Sequence, residues 1–156
     1  MVGDGGEPER GDEVQQAVNE YIRELPTPPE AVLEMEYVFE TLAHPRRRYL
    51  VYSLLSSTEW TLPELATKLV AWEQDIDEEA VTDTDRDDMF TSLYHAHIPK
   101  LVDHDIITYR SGDESTILAD VNAVQVLAAL EGLGASVDAA QEVHARSDYH
   151  GEQTDD

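Results

Sequence analysis

Apolar residues recur at helical spacing through most of this chain, and the period switches to that of strands in one place. Met35, Val38, Phe39 and Leu42 stand at i, i+3, i+4 and i+7, which predicts an amphipathic helix. Pro45 suits the first turn of the next helix, whose buried stripe is Leu50, Val51, Leu54 and Leu55 before Ser56 and Ser57 end it. Thr61 and Glu64 form a capping box, with Trp60 and Leu65 at the staple positions and Leu65, Ala66 and Leu69 on the buried face. An acidic connection, Glu73 to Asp83, leads to a longer helix from about Thr84 to Asp103 carrying Phe90, Leu93, Tyr94, Ile98 and Leu101. Ile106 to Tyr109 and Ser115 to Leu118 then read as two strands, joined by the Gly-containing loop Arg110 to Glu114. A last helix starts near Val121 with Val124, Leu127, Ala128 and Leu130. It weakens at Gly132 and Gly134, and a second amphipathic piece follows through Val137 and Val143.

The ends are different in character. Residues 1–11 hold four glycines, Pro8 and charges, the composition of a disordered tail, and residues 148–156 are polar and frayed. Asp12 can cap a short helix with Val14, Val18, Tyr21, Ile22 and Leu25 on one side, and Pro26, Pro28 and Pro29 then break the chain. The expected organisation is an acidic, partly disordered extension over 1–30, a folded domain over 31–120, a C-terminal helical segment over 121–147 and a tail over 148–156. The fold expected is mainly α with a small β-hairpin: a winged helix-turn-helix with flanking N- and C-terminal helices. In that plan one helix enters the major groove of DNA and the hairpin touches the neighbouring backbone.

Composition changes the picture in one respect. The 156 residues include 34 Asp and Glu against 10 Lys and Arg, a formal charge of -24. Residues 1–33 carry 8 acids and 2 bases, 34–120 carry 19 and 7, and 121–156 carry 7 and 1. The excess is spread evenly, whereas an acidic tail would concentrate it. At molar salt the Debye length is about 3 Å and the self-repulsion is screened, so the chain reads as a salt-adapted cytoplasmic protein of a halophile. The absence of Cys excludes disulfides, thiolate metal sites and Cys nucleophiles. No apolar run approaches the roughly 18 residues of a spanning helix, and the N-terminus lacks the apolar segment of a signal peptide.

Several stretches resemble a known family. Leu42 to Ser57 (LAHPRRRYLVYSLLSS), Thr61 to Leu69 (TLPELATKL) and Leu93 to Tyr109 (LYHAHIPKLVDHDIITY) look like successive helices of ArsR-type winged-helix regulators. A closer resemblance is to a set of haloarchaeal winged-helix domains. It rests on Arg46-Arg47-Arg48-Tyr49, Glu64-Leu65-Ala66, Ala71-Trp72-Glu73 and the run from Thr91 to Leu101, and it covers roughly residues 34–120. The resemblance implies a dimeric transcriptional regulator that reads a palindromic site on double-stranded DNA.

Arg46, Arg47 and Arg48 are the one basic cluster, and guanidinium groups donate bidentately to phosphate. Three adjacent residues fan over roughly 200° of a helix, so at most two can face one partner. Thr91, Ser92, His95 and Lys100 avoid the apolar stripe of the expected recognition helix, and Arg110 opens the wing. These eight residues are the candidate DNA contacts; the alternative for each is an ordinary solvated or charge-neutralising position. Four carboxylates in Asp83 to Asp88 would meet phosphates at the start of that helix, and part of their presence is helix-dipole chemistry. The competing function is therefore a winged-helix protein-interaction module without direct DNA binding. Met35, Val38, Phe39, Val124, Leu127, Ala128 and Leu130 are the candidate homodimer contacts. His95 and His97 splay apart on a helix, so no metal site is expected, and no residue set points to catalysis or to a cofactor.

Such a charge on a chain of ordinary hydrophobic content predicts a fold that requires salt. Thermal melts in about 0.1 M and about 3 M KCl should differ by tens of degrees, with the chain largely unfolded at the lower concentration. Equal melting temperatures would show that the carboxylates do not repel enough to matter.

Overall fold

The computed structural model describes residues 10–137. They fall into two units. The first draws its described residues from 10–32 and 131–137 and contains α1 (Arg10–Glu24), none of whose residues is buried. Arg10 and Gly11, expected in a tail, belong to the first turn of this helix, while residues 1–9, Val143 and residues 148–156 lie outside the described residues.

The second unit, Leu33–Leu130, holds the core. A 3-10 turn (Glu30–Glu34) precedes α2 (Glu36–Leu42), which is followed by α3 (Pro45–Ser53), β1 (Glu59–Thr61), α4 (Leu62–Gln74) and a 3-10 turn (Glu78–Ala80). Then come α5 (Asp83–Ser92), a π-helical turn (Leu93–His97), α6 (Ile98–Asp103), β2 (Ile107–Arg110) and β3 (Thr116–Ala119). The last helix, α7, spans 123–137 and runs on through Gly132 and Gly134, which were expected to weaken it. The result is mainly α, with helices flanking a small antiparallel sheet in the winged-helix order. Among the described residues no helix is long and apolar enough to cross a membrane.

The sheet has three strands, not two, in the order β1-β3-β2. Trp60 lies opposite Ile117 and Tyr109 lies opposite it on the other side, so β3 is central and its Ile117 is fully buried. The Trp60 indole N–H donates to the Ser53 carbonyl at 3.0 Å, tying β1 to the end of α3. Leu50, Val51, Leu62, Leu65, Leu69, Leu93, Leu101, Ile106, Ile107 and Val126 complete a core of fully or almost fully buried side chains.

Two expected buried stripes are narrower than their pattern, and α7 leaves part of its apolar face exposed. In α2 the inward residues are Val38 and Thr41, and Phe39 is exposed. The α3 helix ends at Ser53, which leaves Leu55 beyond it and 64% exposed. In α7 the buried positions are Ala123 and Val126, while Val124 is 65% exposed.

The capping box at α4 is half formed. Thr61 Oγ1 accepts from the Glu64 N–H at 3.3 Å, and Trp60 and Leu65 are both buried. No bond returns from the Glu64 carboxylate to the Thr61 N–H among the described residues. The helix closes on Asp75 in the left-handed conformation (φ 54°), with the Ile76 N–H reaching the Ala71 carbonyl at 3.0 Å. Thr61→Ala should cost about 1 kcal/mol in denaturant unfolding at high KCl, and Glu64→Ala should leave the midpoint nearly unchanged. Equal losses from the two would restore the full box.

Candidate functional site

The first turn of α3 is where the basic cluster sits, and its three side chains leave the helix in different directions. His44 caps the helix, its Nδ1 accepting from the Arg46 N–H at 3.1 Å, and Pro45 fills the first position. Arg46 donates from Nε and Nη2 to both Glu73 oxygens of α4, at 2.7 and 3.2 Å, and from Nη1 to Ser92 Oγ of α5 at 2.6 Å. Arg47 donates twice to the Glu40 carbonyl, at 3.1 and 2.7 Å, and Arg48 once to the Leu42 carbonyl at 2.6 Å. Glu40 and Leu42 lie in the last turn of α2, whose carbonyls lack intrahelical partners. The arginines thus close one helix and join three others. Of the three side chains expected to face phosphate, Arg46 and Arg47 are thus bonded several times within the fold, while Arg48 is exposed and gives one N–H to Leu42.

Behind them lies a pair of histidines. The His97 ring, 4% exposed, stands 4.4 Å from that of His44, and its Nδ1 is 3.4 Å from Arg47 Nη1. Arginine only donates, so Nδ1 is the acceptor and the neutral ring carries its proton on Nε2. Burial, then His44, Arg47 and Arg46, push the His97 pKa down to about 4. Burial, then Arg47 and Arg46, also lower that of His44. Nearby, His104 Nε2 donates to Glu40 Oε2 at 2.6 Å, and this bond, followed by the charge of Lys100, holds the Glu40 carboxyl below its ordinary value. Among the described residues no three His, Asp or Glu side chains come together around a metal position.

The expected recognition helix is broken by the π-helical turn Leu93–His97, where the Ile98 N–H bonds back five residues to the Leu93 carbonyl. Pro99 supplies the reason. In an unbroken α-helix it would face the His95 carbonyl without an N–H and with its ring in the way; the wider turn relieves both. On the outer side Thr91, Tyr94, His95, Ala96, Pro99 and Lys100 are exposed. The Thr91 hydroxyl bonds back to the Asp87 carbonyl at 3.0 Å, and the Ser92 hydroxyl is taken by Arg46. Tyr94 meets Tyr109 of β2 edge-on at 6.0 Å, which sets the hairpin beside the bulge. Arg110, exposed at the wing, makes no side-chain hydrogen bond or ion pair among the described residues.

Charge along this face is negative at its leading end. Asp83, Asp87 and Asp88 are exposed, and the one base there, Arg86, is paired with Asp83. From Met89 to Pro99 there is no Asp, Glu, Lys or Arg at all. Lys100 and Arg110 are exposed bases without a hydrogen-bond partner among the described residues, Arg48 is exposed with one bond to Leu42, and Glu40 feels the charge of Lys100. The expected dimer contacts divide likewise. Val38 is in the core and cannot meet a partner; Met35, Leu127 and Leu130 pack half-buried against it; Phe39, Val124 and Ala128 are exposed.

A family model described as "Domain of unknown function (DUF7344)" matches residues 39–117, half of the chain. The matched span runs from α2 to β3 and includes the arginine turn, the histidine pair and the bulge. No curated protein and no solved structure matches the chain.

The neutral state of buried His97 fixes the sign of its effect on stability with pH. The unfolded chain takes up its proton near pH 6.5 and the folded chain only near 4, so stability is full above 6.5 and falls across that window on acidification. The contribution approaches about 1.4 kcal/mol per pH unit within the window. Denaturant midpoints of His97→Asn at high KCl should lose much of the parent's slope between those pH values; identical slopes would place the acid-sensitive group elsewhere.

Proposed function

The chain belongs to the DUF7344 family, and we propose that it is a non-enzymatic, dimeric winged-helix regulatory module of a salt-rich cytoplasm that works by contact with another protein. One observation carries this reading: all three arginines of the basic cluster are held by Glu73, Ser92, Glu40, His97 and Leu42 of the same chain. Phosphate contacts dominate the affinity of DNA-binding proteins, and here phosphates would meet Asp83, Asp87 and Asp88 with Arg48, Lys100 and Arg110 as the exposed bases. The uncharged face at the bulge, with Tyr94, His95, Ala96 and Pro99 exposed, suits an aromatic protein contact that salt does not screen. Exposed Phe39, Val124 and Ala128 support pairing of two copies through the flanking helices.

A second reading, a transcriptional regulator that itself reads double-stranded DNA, is favoured by the same face. Thr91, His95 and Lys100 are exposed on the helix beside the hairpin that bears Arg110.

One measurement separates the two. Sedimentation of the purified chain in about 2 M KCl, with labelled fragments drawn from genome-wide occupancy in its own cytoplasm, reads mass and DNA retention together. The expected result is a particle of two chains that carries no DNA, reduced to one chain by Val124→Glu. Retention of particular fragments, abolished by Lys100→Glu, would replace the protein-contact reading with the second one. A 17.5 kDa particle at tens of micromolar would remove the dimer.

A further inference from the structure

Away from the bulge, a cleft of about 350 Å³ opens between α3 and α4, lined by Tyr49, Tyr52, Ser53, Leu55, Ser56 and Lys68. Its size is at the lower end of the range for small-molecule sites. Tyr49 stacks on Trp72 at 4.8 Å and 25°, and the Tyr52 ring stands 6.0 Å from that of Tyr49. Tyr52 is 60% exposed and Trp72 47% exposed, an unusual amount of aromatic surface in water for two residues of one face. Tyr49 and Trp72 belong to the RRRY and AWE segments, and neither the arginine turn nor the bulge accounts for their aromatic character.

We propose that this cleft binds a small aromatic carboxylate, its ring against the tyrosines and Leu55 and its carboxylate on Lys68. The proposal is independent of the function proposed above. Charge selects the ligand. In a chain with 34 acids, the lining contains none; its polar groups are one ammonium and the hydroxyls of Tyr49, Tyr52, Ser53 and Ser56. A cationic ligand would find no counter-charge in the lining, whereas an anion finds Lys68 and the Tyr49 and Tyr52 hydroxyls, the Ser53 and Ser56 hydrogens being given to backbone carbonyls. Lys68 is one of only two lysines in the chain, and it is held in place with Nζ 5.2 Å from the centre of the Trp60 ring. Its ion pair with Glu78 is loose, at 3.7 Å, which leaves ammonium donors for a ligand. Ring burial supplies the affinity that screening does not weaken, and the carboxylate supplies the selectivity.

The chain's two tryptophans adjoin the cleft, Trp60 under Lys68 and Trp72 on Tyr49, so intrinsic fluorescence reports on it directly. The test titrates the full chain in about 2 M KCl with benzoate, and with cyclohexanecarboxylate and benzylamine as the non-aromatic and cationic controls. Benzoate should give a saturable change that Lys68→Met and Tyr52→Ala each weaken about tenfold or more, with both controls binding more weakly. No saturation with benzoate, an equal response to benzylamine, or variants that bind as the parent does would each overturn the proposal. Should Lys68→Met lower the melting temperature through loss of the Trp60 contact, Tyr52→Ala decides alone, since that side chain lies mostly in solvent.

Discussion

The bidentate grip of Arg47 on the Glu40 carbonyl sets the geometry around which the rest of the matched region is arranged. Helix α2 has seven residues and ends with carbonyls that no following turn can satisfy. Arg47 and Arg48 reach back from α3 to cap two of them, which fixes the corner at Ala43 and His44. Arg46, one residue earlier and about 100° around the helix, is turned toward α4 and α5 instead. Three consecutive arginines therefore face three different structural demands, and consecutive placement is what makes this possible. A phosphate-binding ridge would need the spacing of a helix face, three or four residues apart.

The low number of bases sharpens this conclusion. In a chain of balanced charge, arginines used to close helix ends would leave others for a binding surface. Here ten bases serve the whole chain, and those of the described core unit other than Lys100 and Arg110 have partners: Glu73 and Ser92, Glu40 and His97, Leu42, Glu78, and Asp83. Carboxylates occupy the solvent side, and the interior polar positions are filled by neutral groups, Thr41, Ser53 and His97. The Thr41 and Ser53 hydroxyls bond to carbonyls four residues back, at 2.7 and 2.9 Å, so neither introduces a charge that salt would have to screen.

Periodicity made the helices, the hairpin and the Thr61 cap legible, because each is a local property of a few side chains. Strand β1 was not legible. Glu59-Trp60-Thr61 is too short to show alternation, and its pairing with β3 joins residues almost sixty positions apart. The inward turn of the arginines was hidden for the same reason: Glu73 and Ser92 lie 27 and 46 residues away from Arg46. Two signals were nevertheless present. His44 before Pro45 is a cap in its usual place, and Pro99 within a helical run announces a break in the α-helical ladder. A helix end explains one more difference, since α3 stops at Ser53 and Leu55 lies beyond it on the surface.

The bulge connects these constraints to what the molecule offers a partner. By inserting a wider turn, Leu93–His97 changes the angular position of everything after it, so that Leu93, His97 and Ile98 are buried together while Tyr94, His95 and Ala96 are turned outward. His97 then closes the inner side against His44 and Arg47, and Tyr94 meets the hairpin on the outer side. The same local distortion thus locks the arginine turn from within and leaves Thr91, Tyr94, His95, Ala96 and Pro99 exposed in a segment, Met89 to Pro99, that carries no Asp, Glu, Lys or Arg. On a surface where acids outnumber bases more than three to one, an uncharged, rigidly held stretch is where contact costs least in desolvation and depends least on ionic strength. Attraction between fixed charges loses its reach in concentrated salt, while burial of apolar surface is preserved or strengthened. Under the function proposed above, in a salt-rich cytoplasm, these properties of the solvent would favour recognition by this stretch over recognition by charge.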